Sequence, residues 1–177
     1  MTEPTRRTGA DSQEGLFSLA QILHLMRVEF ARSQRYGYPL ACLLVAIDGL
    51  AQVRDVHGYD TKQAVLEEVT RELQSKTRTC DFLGRLMDDR LLAVVPHTGP
   101  EGARALGERL LAAVRGLHFD SDGVRLPITI SIGVTHSAAG ETLFFDALLS
   151  AGEAALSDAA ALGGDRLVLR HPTPGGD

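Results

Sequence analysis

The side chains whose types and spacing suggest chemistry gather between residues 78 and 91. Asp88 and Asp89 stand side by side, Arg90 follows, and two Arg-x-x-Asp patterns lie just upstream, Arg78-Thr79-Cys80-Asp81 and Arg85-Leu86-Met87-Asp88. Adjacent carboxylates are hard oxygen donors of the kind a divalent cation takes. Neighbouring acids are also common at turns, and no third ligand is assignable near this pair, so no metal site is read here. An Arg-x-x-Asp pattern is cheap on its own, as its double occurrence shows. Cys42 and Cys80 form no Cys-x-x-Cys motif and have no histidine partner, which argues against zinc and for a reducing, cytoplasmic setting.

The totals bound what can position these residues. A chain of 177 residues, 44% hydrophobic and 23% charged, fits one soluble globular domain. At this size roughly 70% of the unfolded chain's surface can be buried, so neither a disulfide nor a structural metal is needed. A formal net charge of -5 speaks against broad nucleic-acid binding and leaves room for a local basic site. No apolar run reaches the roughly 18 residues of a membrane span, and the polar N-terminus lacks a signal peptide's apolar core. A cytoplasmic protein, bound neither to membrane nor to nucleic acid, is expected.

Met1 to Glu14 shows no periodicity and reads as a mobile tail. The spacing of Leu19, Ile22, Leu23, Met26 and Phe30 predicts a helix to about Arg35, stopped by Tyr36-Gly37-Tyr38-Pro39. Leu40 to Ile47 is continuously apolar, as a central strand buried on both faces would be. Ala64, Val65, Val69 and Leu73 form a stripe on a second helix from Asp60 to Lys76, with Asp60 as its cap. Phe82–Leu86 and Leu91–Val95 read as a hairpin around Met87-Asp88-Asp89-Arg90. A third helix follows Pro100, carrying Ala103, Leu106, Leu110 and Val114. Ile128–Val134 alternates like a half-buried strand, and a last helix, Leu143–Leu162, is closed by Gly163-Gly164 before a short strand at Leu167–Leu169. The tail His171–Asp177 reads as loose. The expected fold class is α/β (α+β), a mixed sheet covered by helices over residues 15–170.

Read in order, Arg32-Ser-Gln-Arg-Tyr-Gly-Tyr-Pro-Leu-Ala, Val45-Ala-Ile-Asp-Gly-Leu, Asp55-Val-His-Gly58, Val65-Leu66, Arg85 through Pro96 and Ser131-Ile-Gly-Val134 resemble the GGDEF domain family over about residues 11–170. Members are usually diguanylate cyclases, which join two GTP molecules into cyclic di-GMP on a palm-like, ferredoxin-type sheet. The resemblance places the signature at Met87-Asp88-Asp89-Arg90-Leu91, where both glycines are replaced and only Asp89 keeps an acid. The first metal-ligating Asp of the family's strand motif falls at Ala46; Asp48 is retained and reads as structural. The family's phosphate-contacting lysines fall at Ala51 and Ala160, and its guanine-binding Asn and Asp at Arg54 and Gln63. His57 and Tyr59, where the family has a Gly-His pair, read as turn residues. Gly163-Gly164-Asp165 mimics part of the signature and reads as a helix stop.

What the resemblance retains is a second, inhibitory-type site. Arg78 and Asp81 stand where many members carry an Arg-x-x-Asp motif for product dimers, and Arg109 matches an arginine that completes it. The chemistry suits cyclic di-GMP: an arginine fork donates to guanine O6 and N7, a carboxylate accepts from guanine N1 and N2, and another arginine pairs with phosphate. The alternative is that Asp81 caps a turn and both arginines are solvated surface charges. The expectation is a catalytically inactive cyclic di-GMP receptor, with no catalytic residues, metal or Mg, acting on a protein partner or by ligand-linked dimerisation. A nucleotide-independent docking module, supported by the apolar helix around Ile22 to Phe30, is the second reading. An active cyclase is the third.

Overall fold

The computed structural model describes residues 15–139, 141 and 144–173. The expected tails therefore fall largely outside the described residues, as does Leu143. In chain order the elements are β1 (Leu16–Phe17), α1 (Leu19–Tyr36), β2 (Leu40–Ile47), α2 (Leu50–His57), α3 (Tyr59–Lys76), β3 (Phe82–Arg85), β4 (Leu91–Pro96), α4 (Pro100–Arg115), β5 (Phe119–Ser121), β6 (Val124–Leu126), β7 (Ile130–Ser137), α5 (Phe145–Ala161) and β8 (Arg166–Leu169). One mixed sheet runs in the order β1-β3-β4-β2-β7-β8, and β5 and β6 form a separate hairpin. β2 is antiparallel to both β4 and β7, while the outermost pairs, β1 with β3 and β7 with β8, are parallel.

The uninterrupted apolar run of β2 has a direct cause. Ala41, Leu43, Val45 and Ile47 face a core shared with α2, α3 and α4, whereas Leu40, Cys42 and Leu44 face a second core closed by α1 and α5. A central strand with helices on both sides has no solvent face to make polar. On α3 the expected stripe is buried at Val65, Val69 and Leu73 and is completed by Leu66, whereas Ala64 is exposed; truncating Leu66 or Leu73 to Ala would cost about 2–5 kcal/mol. Ser18 begins α1 with a reciprocal capping box to Gln21, and Gly37 ends it in the left-handed conformation.

Several expectations are corrected. Asp60 does not cap α3: the additional helix α2 ends at His57, Gly58 turns the corner with φ 90°, and α3 begins at Tyr59 with Asp60 in its first turn. The alternating strand is not half-buried, because all of β7 is buried and it extends to Ser137. Its polar side chains lie beneath helix rather than water, with Thr135 against Gly152 of α5. Much of the apolar side of α1 is taken up by the fold: Ile22 and Met26 are fully buried in the second core and Leu23 and Phe30 pack against it, while Leu19 and Val28 stay exposed. Among the described residues no helix is long and apolar enough to cross a membrane.

Candidate functional site

Two separate concavities hold the residues singled out above. The first lies where α3 ends. Thr77 leaves helical geometry, and the next residues close a tight turn in which the Arg78 amide donates to Asp81 Oδ2 at 2.8 Å and the Asp81 amide donates to the Arg78 carbonyl at 3.0 Å. Asp81 therefore does cap its turn. Among the described residues its other oxygen, Oδ1, meets only the Cys80 thiol, at 4.0 Å. The exposed Arg78 guanidinium makes no ion pair or hydrogen bond among the described residues. Arg78 and Asp81 line one pocket of about 350 Å³ with Gly15, Gln74, Thr77, Thr79 and Leu83. That volume is near the lower end of small-molecule sites, roughly 300–1,000 Å³.

Arg109 is less closely joined to this pocket. It lies on the exposed side of α4, and Nη2 reaches the Lys76 carbonyl at 3.5 Å, the outer limit of a hydrogen bond. This places it beside the end of α3 but not among the residues lining the pocket. Thr77 precedes the motif and Thr79 lies within it, so both were within reach of sequence reasoning. Gly15 was not, because only the pairing of β1 with β3 brings it there.

The second concavity, about 290 Å³, lies between β2 and the β3–β4 hairpin and is lined by Ala46, Ile47, Gly49, Leu50, Ala51, Gln52, Asp88, Asp89 and Arg90. Met87–Asp89 form a short 3-10-like turn, left-handed at Asp88, in which the Arg90 amide donates to the Met87 carbonyl at 3.4 Å, and the Leu86 amide donating to the Arg90 carbonyl at 2.7 Å ties its two ends together. Asp88 and Asp89 both take positive φ, 58° and 59°, a backbone that costs a non-glycine residue roughly 1 kcal/mol. Met87 is exposed at the tip, while Leu91 is buried as the first residue of β4, opposite Val45. Asp89 is ion-paired with Lys62 of α3, a partner no motif announced, and Arg90 Nη1 lies 3.8 Å from Glu153 of α5. Arg54 pairs with Asp55, and Gln63 donates to Glu67, so both are engaged along their own helices. Among the described residues no group of three or more His, Cys, Asp or Glu could hold a metal ion.

Asp48 faces neither concavity's polar centre. Its Oδ1 accepts from Ser131 Oγ at 2.6 Å, and its Oδ2 accepts from Thr129 Oγ1 at 2.7 Å and from the Asp165 amide at 2.9 Å. The carboxylate thereby joins the end of β2, the start of β7 and the turn before β8. Gly164 has φ 75°, and a Cβ there would stand 2.8 Å from Asp48 Oδ2, so the Gly163-Gly164-Asp165 turn is shaped to this contact.

This architecture has known counterparts. It superposes with a TM-score of 0.82 on the diguanylate cyclase SiaD from Pseudomonas aeruginosa, solved in complex with its activator SiaC, at 32% identity, covering 90% of this chain and 61% of that one. The GGDEF domain of DgcB from Caulobacter crescentus, solved with c-di-GMP, gives a TM-score of 0.83 at 17% identity, covering 96% of this chain and 97% of that one, a likeness of fold. In sequence the chain is 32% identical over 162 residues to diguanylate cyclase DgcP of Pseudomonas aeruginosa, covering 90% of this chain and 23% of that protein. It is also 32% identical over 134 residues to the response regulator PleD of Caulobacter vibrioides, covering 75% of this chain and 29% of PleD. It thus spans about a quarter of the length of these curated relatives. Residues 9–166 match the family described as diguanylate cyclase, GGDEF domain, and with the sheet order and hairpin cleft above, the chain belongs to the GGDEF domain family.

Proposed function

We propose that this domain is a catalytically inactive receptor for cyclic di-GMP, binding it at Arg78 and Asp81 with Arg109 at the rim, and that occupancy is passed to a protein partner or to dimerisation. The observation that carries this reading is that Arg78, whose guanidinium has no partner among the described residues, lines a pocket of about 350 Å³ together with Asp81. A guanidinium fork and a carboxylate are complementary to the Hoogsteen and Watson–Crick edges of guanine. The pocket takes part of such a ligand, leaving its remainder for Arg109 or a second copy. A relative solved with c-di-GMP and another solved with an activator protein are precedents for both kinds of partner.

The absence of catalysis is argued from the cleft's donor set. Phosphoryl transfer of this kind needs divalent cations held by hard oxygens. Ala46 offers a methyl group, Asp89 is engaged by Lys62, and Arg90 adds a positive charge beside them. These residues do not fit a catalytic cation. The test is calorimetry with cyclic di-GMP alongside incubation with GTP and Mg or Mn. Binding at micromolar or tighter affinity without product is expected. No heat of binding sinks the receptor, and cyclic di-GMP formed from GTP sinks the inactivity.

A second reading, a docking module indifferent to nucleotide, is favoured by one feature: Asp81 already serves its own turn and Arg109 reaches a backbone carbonyl. Partner capture unchanged by cyclic di-GMP and by Asp81→Ala would support it.

A further inference from the structure

β1 is the smallest element of the sheet and lies at its edge. It contributes two residues, paired Leu16 with Leu83 and Phe17 with Gly84. A two-residue parallel edge strand has little pairing of its own to hold it, so it belongs to the part of a fold that opens locally. Its position is not incidental to the Arg78 pocket. Gly15, the residue before it, is one wall of that pocket, and Leu83, the partner of Leu16, is another. Phe17 packs edge-to-face on Phe82, ring centroids 6.0 Å apart, and Phe82 directly follows Asp81. Asp81, Phe82 and Leu83 are thus consecutive residues that bind the proposed ligand, stack on β1 and pair with β1. Gly15 takes φ 92°, the backbone that turns the chain from the pocket wall into the strand.

We infer that β1 is the element through which occupancy of the Arg78–Asp81 pocket is read. Ligand lodged between Arg78 and Gly15 favours the state in which Gly15 forms the pocket wall, which is the state in which Leu16 and Phe17 are paired. Without ligand the same pairing opens more often, and Leu16 and Phe17 leave the sheet edge. A ligand that binds one of two local states shifts the balance by its preference for that state and by no more. This rests on the receptor reading above and names its output.

The experiment is hydrogen–deuterium exchange of the full chain with and without saturating cyclic di-GMP, beside calorimetry on the same sample. The β1 amide that pairs with β3 is expected to exchange about tenfold more slowly with ligand, while those of Leu66 and Leu73 in α3 are unchanged. In Phe17→Ala, which leaves Arg78 and Asp81 in place, the ligand should still bind and the slowing in β1 should shrink severalfold. Binding heat with unaltered exchange in β1 overturns the inference and leaves the receptor standing. No binding heat from the wild-type chain overturns the receptor, and this inference with it.

Discussion

Asp48 is the acid of the family's strand motif that this chain keeps, and its replacement tests whether it serves the fold or a site. Its carboxylate accepts three hydrogen bonds, from Ser131 Oγ at 2.6 Å, Thr129 Oγ1 at 2.7 Å and the Asp165 amide at 2.9 Å. A hydrogen bond to a charged group is worth about 1.5–3 kcal/mol, but the three share one carboxylate and water can enter this half-buried spot, so they do not add in full. Asp48→Ala should cost about 3–4 kcal/mol. For a domain of this size that corresponds to a fall in Tm of roughly 6–16 °C. In Asp48→Asn the amide oxygen still accepts and either hydroxyl can turn to accept from the new NH2 group, whereas the Asp165 amide cannot. That variant should lose about half as much. Urea denaturation followed by circular dichroism measures both, and cyclic di-GMP affinity, read at the distant Arg78 pocket, should stay within threefold. If Asp48→Ala costs less than about 1 kcal/mol, the carboxylate is not what joins β2, β7 and β8, and the structural assignment is wrong.

Arg78→Ala should leave stability within about 0.5 kcal/mol, because the exposed guanidinium has no partner among the described residues, while weakening cyclic di-GMP binding by roughly 5- to 150-fold, the worth of a bidentate contact to guanine; denaturation and calorimetry on one preparation separate the two. A thiol reagent should modify the folded protein once, at exposed Cys80, since Cys42 is fully buried and burial pushes its thiol up to about 12; cyclic di-GMP should slow the Cys80 reaction, and equal rates with bound ligand would place the ligand elsewhere. His171 has both ring nitrogens facing acceptors, the Pro172 carbonyl at 2.8 Å and Glu141 at 2.9 Å, and the carbonyl foremost holds its pKa above 6.5. Its contribution is therefore complete below pH 6.5 and lost as pH rises through the elevated value, so the deficit of His171→Ala against wild type should be larger at pH 5.5 than at pH 9. Neighbouring His136 is held low, first by burial, and so works in the opposite direction, losing stability as pH falls from 6.5. A deficit for His171→Ala independent of pH would refute the charged clasp.

What was legible depended on length and locality. The eight apolar residues of β2 and the stripe of α3 announced themselves because periodicity over two or more turns, or a long unbroken run, has few alternatives. β1, with two residues, and β5 and β6, with three each, carry too few positions for any period to register. α2 leaves little trace in the sequence because its eight residues bury only Leu50 and Val53, and His57 and Tyr59, which read as turn residues, are the end of one helix and the start of the next around Gly58. In β7 the alternation was real, but alternation reports polarity, not exposure, and α5 covers the face that would otherwise meet water. The Arg78–Asp81 turn could be read from four residues in a row, which is why that part of the site emerged from sequence while Gly15 did not.

By itself the chain of residues determined the order of the principal elements, the family they spell, and which atoms are present or missing at each position: a methyl at Ala46, a guanidinium at Arg78, carboxylates at Asp48 and Asp89. Those are properties of single residues and of short-range periodicity, and they need no fold to be stated. Tertiary structure decided how those atoms are used. Asp48 is committed to groups 81, 83 and 117 positions away, Asp89 in its hairpin turn to Lys62 on α3, and Asp81 closes its own turn while lining a pocket with Arg78. A carboxylate binds whatever donor the fold brings within 3 Å, and at such separations along the chain only the packing of sheet and helices sets which donor that is.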